Sequence, residues 1–190
     1  MRQVLKFGIK LLLITYCQKY LKTHKMKLDQ LKILLADDDT DDCSFFDKAL
    51  KEIPITTNLT IVHDGEQLMT YLLENSKNLP DVLFLDLSMP RKNGFECLTE
   101  IKENIKLKDL PVVMFSTSFP QNKNYEENMI NMLLNFGAYD YIRKPVDFTQ
   151  LKKVIHNTLI LVEKIIRRMD KGKICDQQIQ NDKNYFNTIN

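Results

Sequence analysis

From Lys32 to Arg168 the chain repeats one pattern five times: a run of four or five mostly apolar residues, then a segment with apolar positions three and four apart. The short runs lack the polar alternation of a half-exposed strand, so they read as strands covered on both faces, as in a parallel sheet. The predicted strands are Lys32–Ala36, Leu59–Val62, Val82–Asp86, Val112–Phe115 and Tyr139–Arg143. The predicted helices are Asp41–Lys51, Glu66–Glu74, Phe95–Glu103, Glu126–Phe136 and Phe148–Arg168; Phe46, Ala49 and Leu50 in the first, and Leu151, Val154, Ile155 and Leu159 in the last, draw one apolar stripe along each. Gly65, Gly94 and Gly137 punctuate helix ends. The chain is therefore read as α/β, a (βα)5 doubly wound parallel five-stranded sheet. Ligands of such sheets bind beyond the carboxyl ends of the strands.

That edge is where the chain places its acids. Asp37 and Asp38 follow the first strand and Asp86 closes the third. Three carboxylates brought together repel one another unless a cation lies between them. Mg2+ suits such a site, because it takes a few carboxylate oxygens, keeps water and leaves room for phosphate oxygens. Ser116 and Lys144 follow the fourth and fifth strands, adding a hydroxyl and an ammonium. Asp39, Asp41 and Asp42 read as solvated decoration of a helix start, where negative charge is favoured by the dipole. A calcium loop is excluded, since Asp42 occupies the place of its turn glycine and Lys48 that of its bidentate Glu. An aspartyl phosphohydrolase of the Asp-x-Asp type is disfavoured by Asp41, which stands where that motif needs Thr or Val.

These residues resemble the CheY-like receiver domains of response regulators. The resemblance runs over about residues 31–165 and rests on Asp37-Asp38, Leu85-Asp86-Leu87-Ser88-Met89-Pro90 with Gly94, Pro111-Val112-Val113-Met114-Phe115-Ser116, and Tyr141-Ile142-Arg143-Lys144-Pro145. The cadence of His63-Asp64-Gly65-Glu66 and Arg91-Lys92-Asn93-Gly94-Phe95-Glu96 is most similar to stand-alone receivers paired with phytochrome-type and other sensor kinases. The resemblance implies a flavodoxin/CheY-like fold and a phosphorylation-dependent switch of a two-component system. Asp86 would be the phosphoacceptor, and Mg2+ would be bound by Asp38, Asp86 and the Ser88 backbone carbonyl, with Asp37 reaching it through water. Lys144, Ser116 and Thr117 would face the phosphoryl oxygens, and Tyr141 would follow Ser116, although a Tyr in an apolar strand also fits a plain core position. The Lys144–Pro145 peptide would be cis. Pro90 and Gly94 have local roles in stiffening the loop and admitting a tight turn into the third helix.

The implied partners are a sensor histidine kinase or histidine phosphotransfer protein and a downstream protein target. A phosphorelay carrier is the alternative within the same chemistry, and a constitutive adaptor with an inert site is opposed by the complete set of five polar residues. No enzymatic turnover of an external substrate is expected. Residues 31–168 carry 17 Lys/Arg against 21 Asp/Glu, so nothing in this unit suits a nucleic acid, whereas residues 1–30 carry seven against one. That N-terminal extension reads as an amphipathic helix, a membrane-surface contact, or a translated upstream stretch with the start at Met26. Its longest uninterrupted apolar run, Leu11–Cys17, is too short to span a bilayer. Cys17, Cys43, Cys97 and Cys175 form no Cys-x-x-Cys pair, which fits a reducing, cytoplasmic setting. Residues 169–190 read as a polar, disordered tail. The segment from Ser116 to Gly137 is longer than in compact relatives, with the excess around Phe119–Asn124, and homodimerisation through the fourth-helix face stays open.

Overall fold

The computed structural model describes residues 30–117 and 123–170. The N-terminal extension up to residue 29, the tail from residue 171 and most of the long loop (118–122) lie outside the described residues. The order is β1 (Leu31–Ala36), α1 (Thr40–Lys51), β2 (Thr57–Val62), α2 (Gly65–Glu74), β3 (Val82–Leu85), α3 (Gly94–Glu103), β4 (Val112–Ser116), α4 (Lys123–Asn135), β5 (Asp140–Arg143) and α5 (Phe148–Asp170). The strands form one parallel sheet in the order β2-β1-β3-β4-β5. All five predicted strands and helices are present, and α4 begins three residues ahead of the expected Glu126.

Period-two alternation divides the central strands between two cores. Ile33 and Leu35, Val82 and Phe84, and Val113 and Phe115 meet α1 and α5 through Phe46, Leu50, Ile155 and Leu159. Leu34 and Ala36, Leu83 and Leu85, and Val112 and Met114 meet α2, α3 and α4 through Leu68, Leu98, Ile101 and Leu133. The expectation of strands buried on both faces holds for β1, β3 and β4 and fails for β2 and β5, which are the sheet's edges and are mostly half-covered. A parallel sheet protects its central strands fully because helices overlie them, while an edge strand has a neighbour on one side only.

Local chemistry fixes where helices begin. Asp39 caps α1, its carboxylate accepting from the backbone N–H groups of Asp41 and Asp42. Asp64 caps α2 by accepting from Gln67 N. Asn93 and Glu96 form a reciprocal capping box on α3.

Gly94 is required by proximity: a Cβ there would lie 2.1 Å from the Asp86 carbonyl oxygen. Its N–H donates to Leu87 O at 3.0 Å, folding the β3–α3 loop back on the strand end. Gly94→Ala must push these backbones apart, and destabilisation on the order of 2 kcal/mol is expected, measured by urea unfolding, as for other overpacked sites.

Candidate functional site

The strand ends bring the polar residues together as the sheet order dictates. Asp37 is the first residue past β1, its N–H donating to Val62 O at 3.0 Å, and Asp86 is the first past β3, its N–H donating to Ala36 O at 2.9 Å. Lys144 follows β5 with its N–H on Ser116 O at 2.9 Å, so the last residue of β4 is tied directly to the residue carrying the ammonium.

Carboxylate oxygens of Asp37, Asp38 and Asp86 all lie within 4.8 Å of one another. Asp37 and Asp86 are buried and Asp38 is exposed. Hard oxygen donors at one sheet edge, open on the Asp38 side, could coordinate a divalent metal ion. Burial pushes Asp37 up to about 6, because the charged form loses hydration and feels Asp86, and hydrogen bonding and charge from Lys144 only partly offset this.

Lys144 Nζ sits 2.7 Å from Asp37 Oδ2, 2.8 Å from Asp42 Oδ2 and 3.4 Å from Asp86 Oδ1. Burial works against its charge, but the pairs with Asp37 and Asp42 and the field of Asp86 outweigh it and hold the ammonium above the usual lysine range. The side chain crosses the Phe115 ring, 5.7 Å from its centroid. Ser116 is buried, and Thr117 is exposed beside it. Thr117, Lys144 and Pro145 border a cavity of about 260 Å³ whose other walls include Phe45, Val146 and Phe148.

Ser88, two residues past Asp86, donates its N–H to Asp86 Oδ2 at 2.8 Å and so fixes the rotation of that carboxylate. Pro90 is exposed within the same loop. Tyr141 is half-buried on β5 and packs against the α2–α3–α4 core; burial, with Glu126 adding to it, pushes its phenol up to about 12. The described residues contain no cis peptide bond, so Lys144–Pro145 is trans, against the expectation. Trans is the intrinsic preference even before proline, and from this backbone Lys144 already reaches the carboxylates.

Two features escaped the sequence reading. Asp42, taken as decoration of a helix start, pairs with Lys144 from 102 residues away. Arg91, in the left-handed region at φ 65°, places its guanidinium 2.9 Å from the buried Asp64 and so joins the β3–α3 loop to the cap of α2. Each partner is distant in sequence, and although Arg91 and Asp64 stand in the quoted motifs, no spacing rule joins them. An unpaired acid in an acidic run was the only available signal for Asp42.

Comparison with known proteins agrees with this geometry. The family model described as "Response regulator receiver domain" matches residues 33–156. The chain belongs to the response regulator receiver family. This receiver is similar to the Response regulator Rcp1 of Synechocystis sp. (strain ATCC 27184 / PCC 6803 / Kazusa), 41% identical over 91 residues, which are 45% of this chain and 61% of that protein. It is also similar to the Two-component response regulator ARR6 of Arabidopsis thaliana, 30% identical over 146 residues, covering 71% of this chain and 72% of that one. Among solved structures, the phosphorylated cyanobacterial phytochrome response regulator RcpA superposes with a TM-score of 0.59 at 31% identity, covering 68% of this chain and 91% of that one. The Mn(2+)-bound form of Rcp1 gives 0.56 at 31%, covering 66% and 89%. No helix among the described residues is long and apolar enough to cross a membrane.

The raised Asp37 carboxyl has a measurable consequence. Its proton stabilises the fold fully below the unfolded value near 3.8, and that contribution is lost as pH rises through about 6. In metal-free buffer, Asp37→Asn should be more stable than the parent at pH 7 by about 2 kcal/mol, and the difference should shrink toward zero as pH falls to ~4, as thermal melts across that range would measure.

Proposed function

We propose that this receiver takes a phosphoryl group on Asp86 from a phosphohistidine of a sensor kinase or histidine phosphotransfer protein, with Mg2+, and signals by altered protein binding. The observation that carries the reading is the convergence of Lys144 on Asp86 and Asp37, the two buried members of the three-carboxylate cluster. A carboxylate nucleophile flanked by a fixed ammonium is what phosphoryl transfer needs, since there is little for the protein to do beyond positioning and charge stabilisation.

An Asp86 carboxylate oxygen attacks phosphorus as the phosphorus–nitrogen bond of the phosphohistidine breaks and its electron pair returns to the imidazole. Ser88 N–H holds one oxygen of Asp86, which leaves the other to attack. Lys144 offers its charge to the phosphoryl oxygens, and the Ser116 hydroxyl, with Thr117 beside it, donates to the same oxygens. Bound Mg2+, held by Asp38, Asp86 and the Ser88 carbonyl with Asp37 through water, would supply positive charge against the transferring group.

Because Ser116 O receives the Lys144 N–H, a shift of Ser116 toward the phosphoryl group pulls on the start of the β5–α5 loop. Tyr141, on β5 ahead of that loop, would register it. The output surface is then the face of α4, β5 and α5, biased by the few kcal/mol usual for such coupling. Residues 31–168 act as one such unit. Its chemistry is confined to gaining and losing its own phosphoryl group.

Intact-protein mass after incubation with Mg2+ and acetyl phosphate tests this. A single phosphate adduct is expected on the wild type and none on Asp86→Asn; no adduct on either, at saturating Mg2+, would overturn the reading.

A further inference from the structure

The ammonium of Lys144 has three N–H donors, and three carboxylates surround it. Two of them, Asp37 and Asp86, belong to the floor of the site and have side chains 1% and 6% exposed. The third, Asp42, stands in the first turn of α1 with its side chain 33% exposed, and at 2.8 Å it lies nearer to Nζ than Asp86 does. Lys144 itself is 8% exposed, so its head is committed to these partners and not to water.

The three acids differ in how easily each gives up the ammonium. Asp37 is buried and already carries a desolvation penalty, so without Lys144 its charge would rest on bound Mg2+ alone. Asp42 reaches solvent and sits where the α1 dipole favours negative charge, so water and the helix end stabilise it without Lys144. A phosphoryl group on Asp86 brings a charge of about −1.5 to −2 and three acceptor oxygens. The exchange of least cost is then release of Asp42 and transfer of its N–H donor to the phosphoryl group.

We propose that Asp42 is a positioning residue that competes with the phosphoryl group for Lys144 and thereby sets the affinity of the site for that group. This deepens the reading of Asp86 as acceptor and rests on it. Release of Asp42 also turns an ion-paired carboxylate into a free one on the rim of the cavity bordered by Phe45, Val146 and Phe148, so the charge of that rim follows the state of Asp86.

The test uses the full chain, saturating Mg2+ and beryllofluoride as an unreactive phosphoryl mimic, with binding measured by calorimetry. Asp42→Asn should bind the mimic about fivefold tighter than the wild type, the scale of one partly exposed ion pair. Asp41→Asn removes the same charge one residue away at an exposed position and should stay within about twofold, as for a solvent-screened charge. In a Lys144→Ala background the gain from Asp42→Asn should vanish. Asp42→Ala serves as a second variant with the same expected direction should the Asn form fold poorly. Equal affinity of wild type and Asp42→Asn, or a gain that persists without Lys144, would overturn the proposal while leaving Asp86 as acceptor. Failure of the wild type to bind the mimic would instead overturn the phosphoacceptor reading, and this inference with it.

Discussion

A parallel sheet releases every strand at the same edge, and in this chain the residues released by β1 and β3 are acids. Asp37 follows β1, Asp86 follows the adjacent β3, and mutual repulsion there works against the strand pairing that brought them together. The opposing force comes from β5, two strands further along the sheet, whose next residue sends an ammonium back across Phe115 to reach both. The positions of Ser116, Pro145 and the start of α5 follow from where that side chain must begin. The site is therefore also a joint in the fold, between the β1–β3 centre and the β5 edge.

Asp86 is held by contacts that leave its backbone little freedom. Gly94 lies against the Asp86 carbonyl, and the β3–α3 loop is anchored a second time at Gly65, where a Cβ would lie 2.1 Å from Lys92 O. Arg91 on Asp64 adds an ion pair to the same contact, and Lys92 pairs with Glu100 on the far side. The left-handed backbone of Arg91 costs about 1 kcal/mol or more, and this turn lets the guanidinium reach the buried carboxylate of Asp64, the cap of α2. The result is a carboxylate whose placement is fixed at the expense of local conformational ease.

The sequence disclosed the strands and the acids at their ends because both are local: a run of Val, Leu and Phe followed by Asp needs no knowledge of distant chain. Ser116 and Lys144 were legible once the strands were placed in one sheet. Asp42 was not, since its partner is 102 residues away and its neighbours Asp39 and Asp41 do serve only the helix end or solvent. Arg91 and Asp64 both stand in the motifs that carry the resemblance, but their ion pair is illegible for the same reason, being long-range with no spacing rule. The half-covered state of β2 and β5 depends on strand order, which apolar runs do not encode. The Lys144–Pro145 isomer was misjudged because it was carried over from the resemblance, with nothing in the residues themselves to favour cis.

The two cores separated by the sheet are built from different materials. On the α1–α5 side, Phe46, Phe84 and Phe115 lock edge to face with centroids 4.9 to 5.9 Å apart, a geometry that tolerates little sliding. On the α2–α3–α4 side the filling is aliphatic, with Met69, Met89 and Met114 buried and Met129 and Tyr141 packed against it. Unbranched thioether chains change rotamer at low cost and refill irregular space. Mechanically, the sheet has backings of unequal adaptability, since the methionine side can repack at lower cost than the interlocked rings on the other.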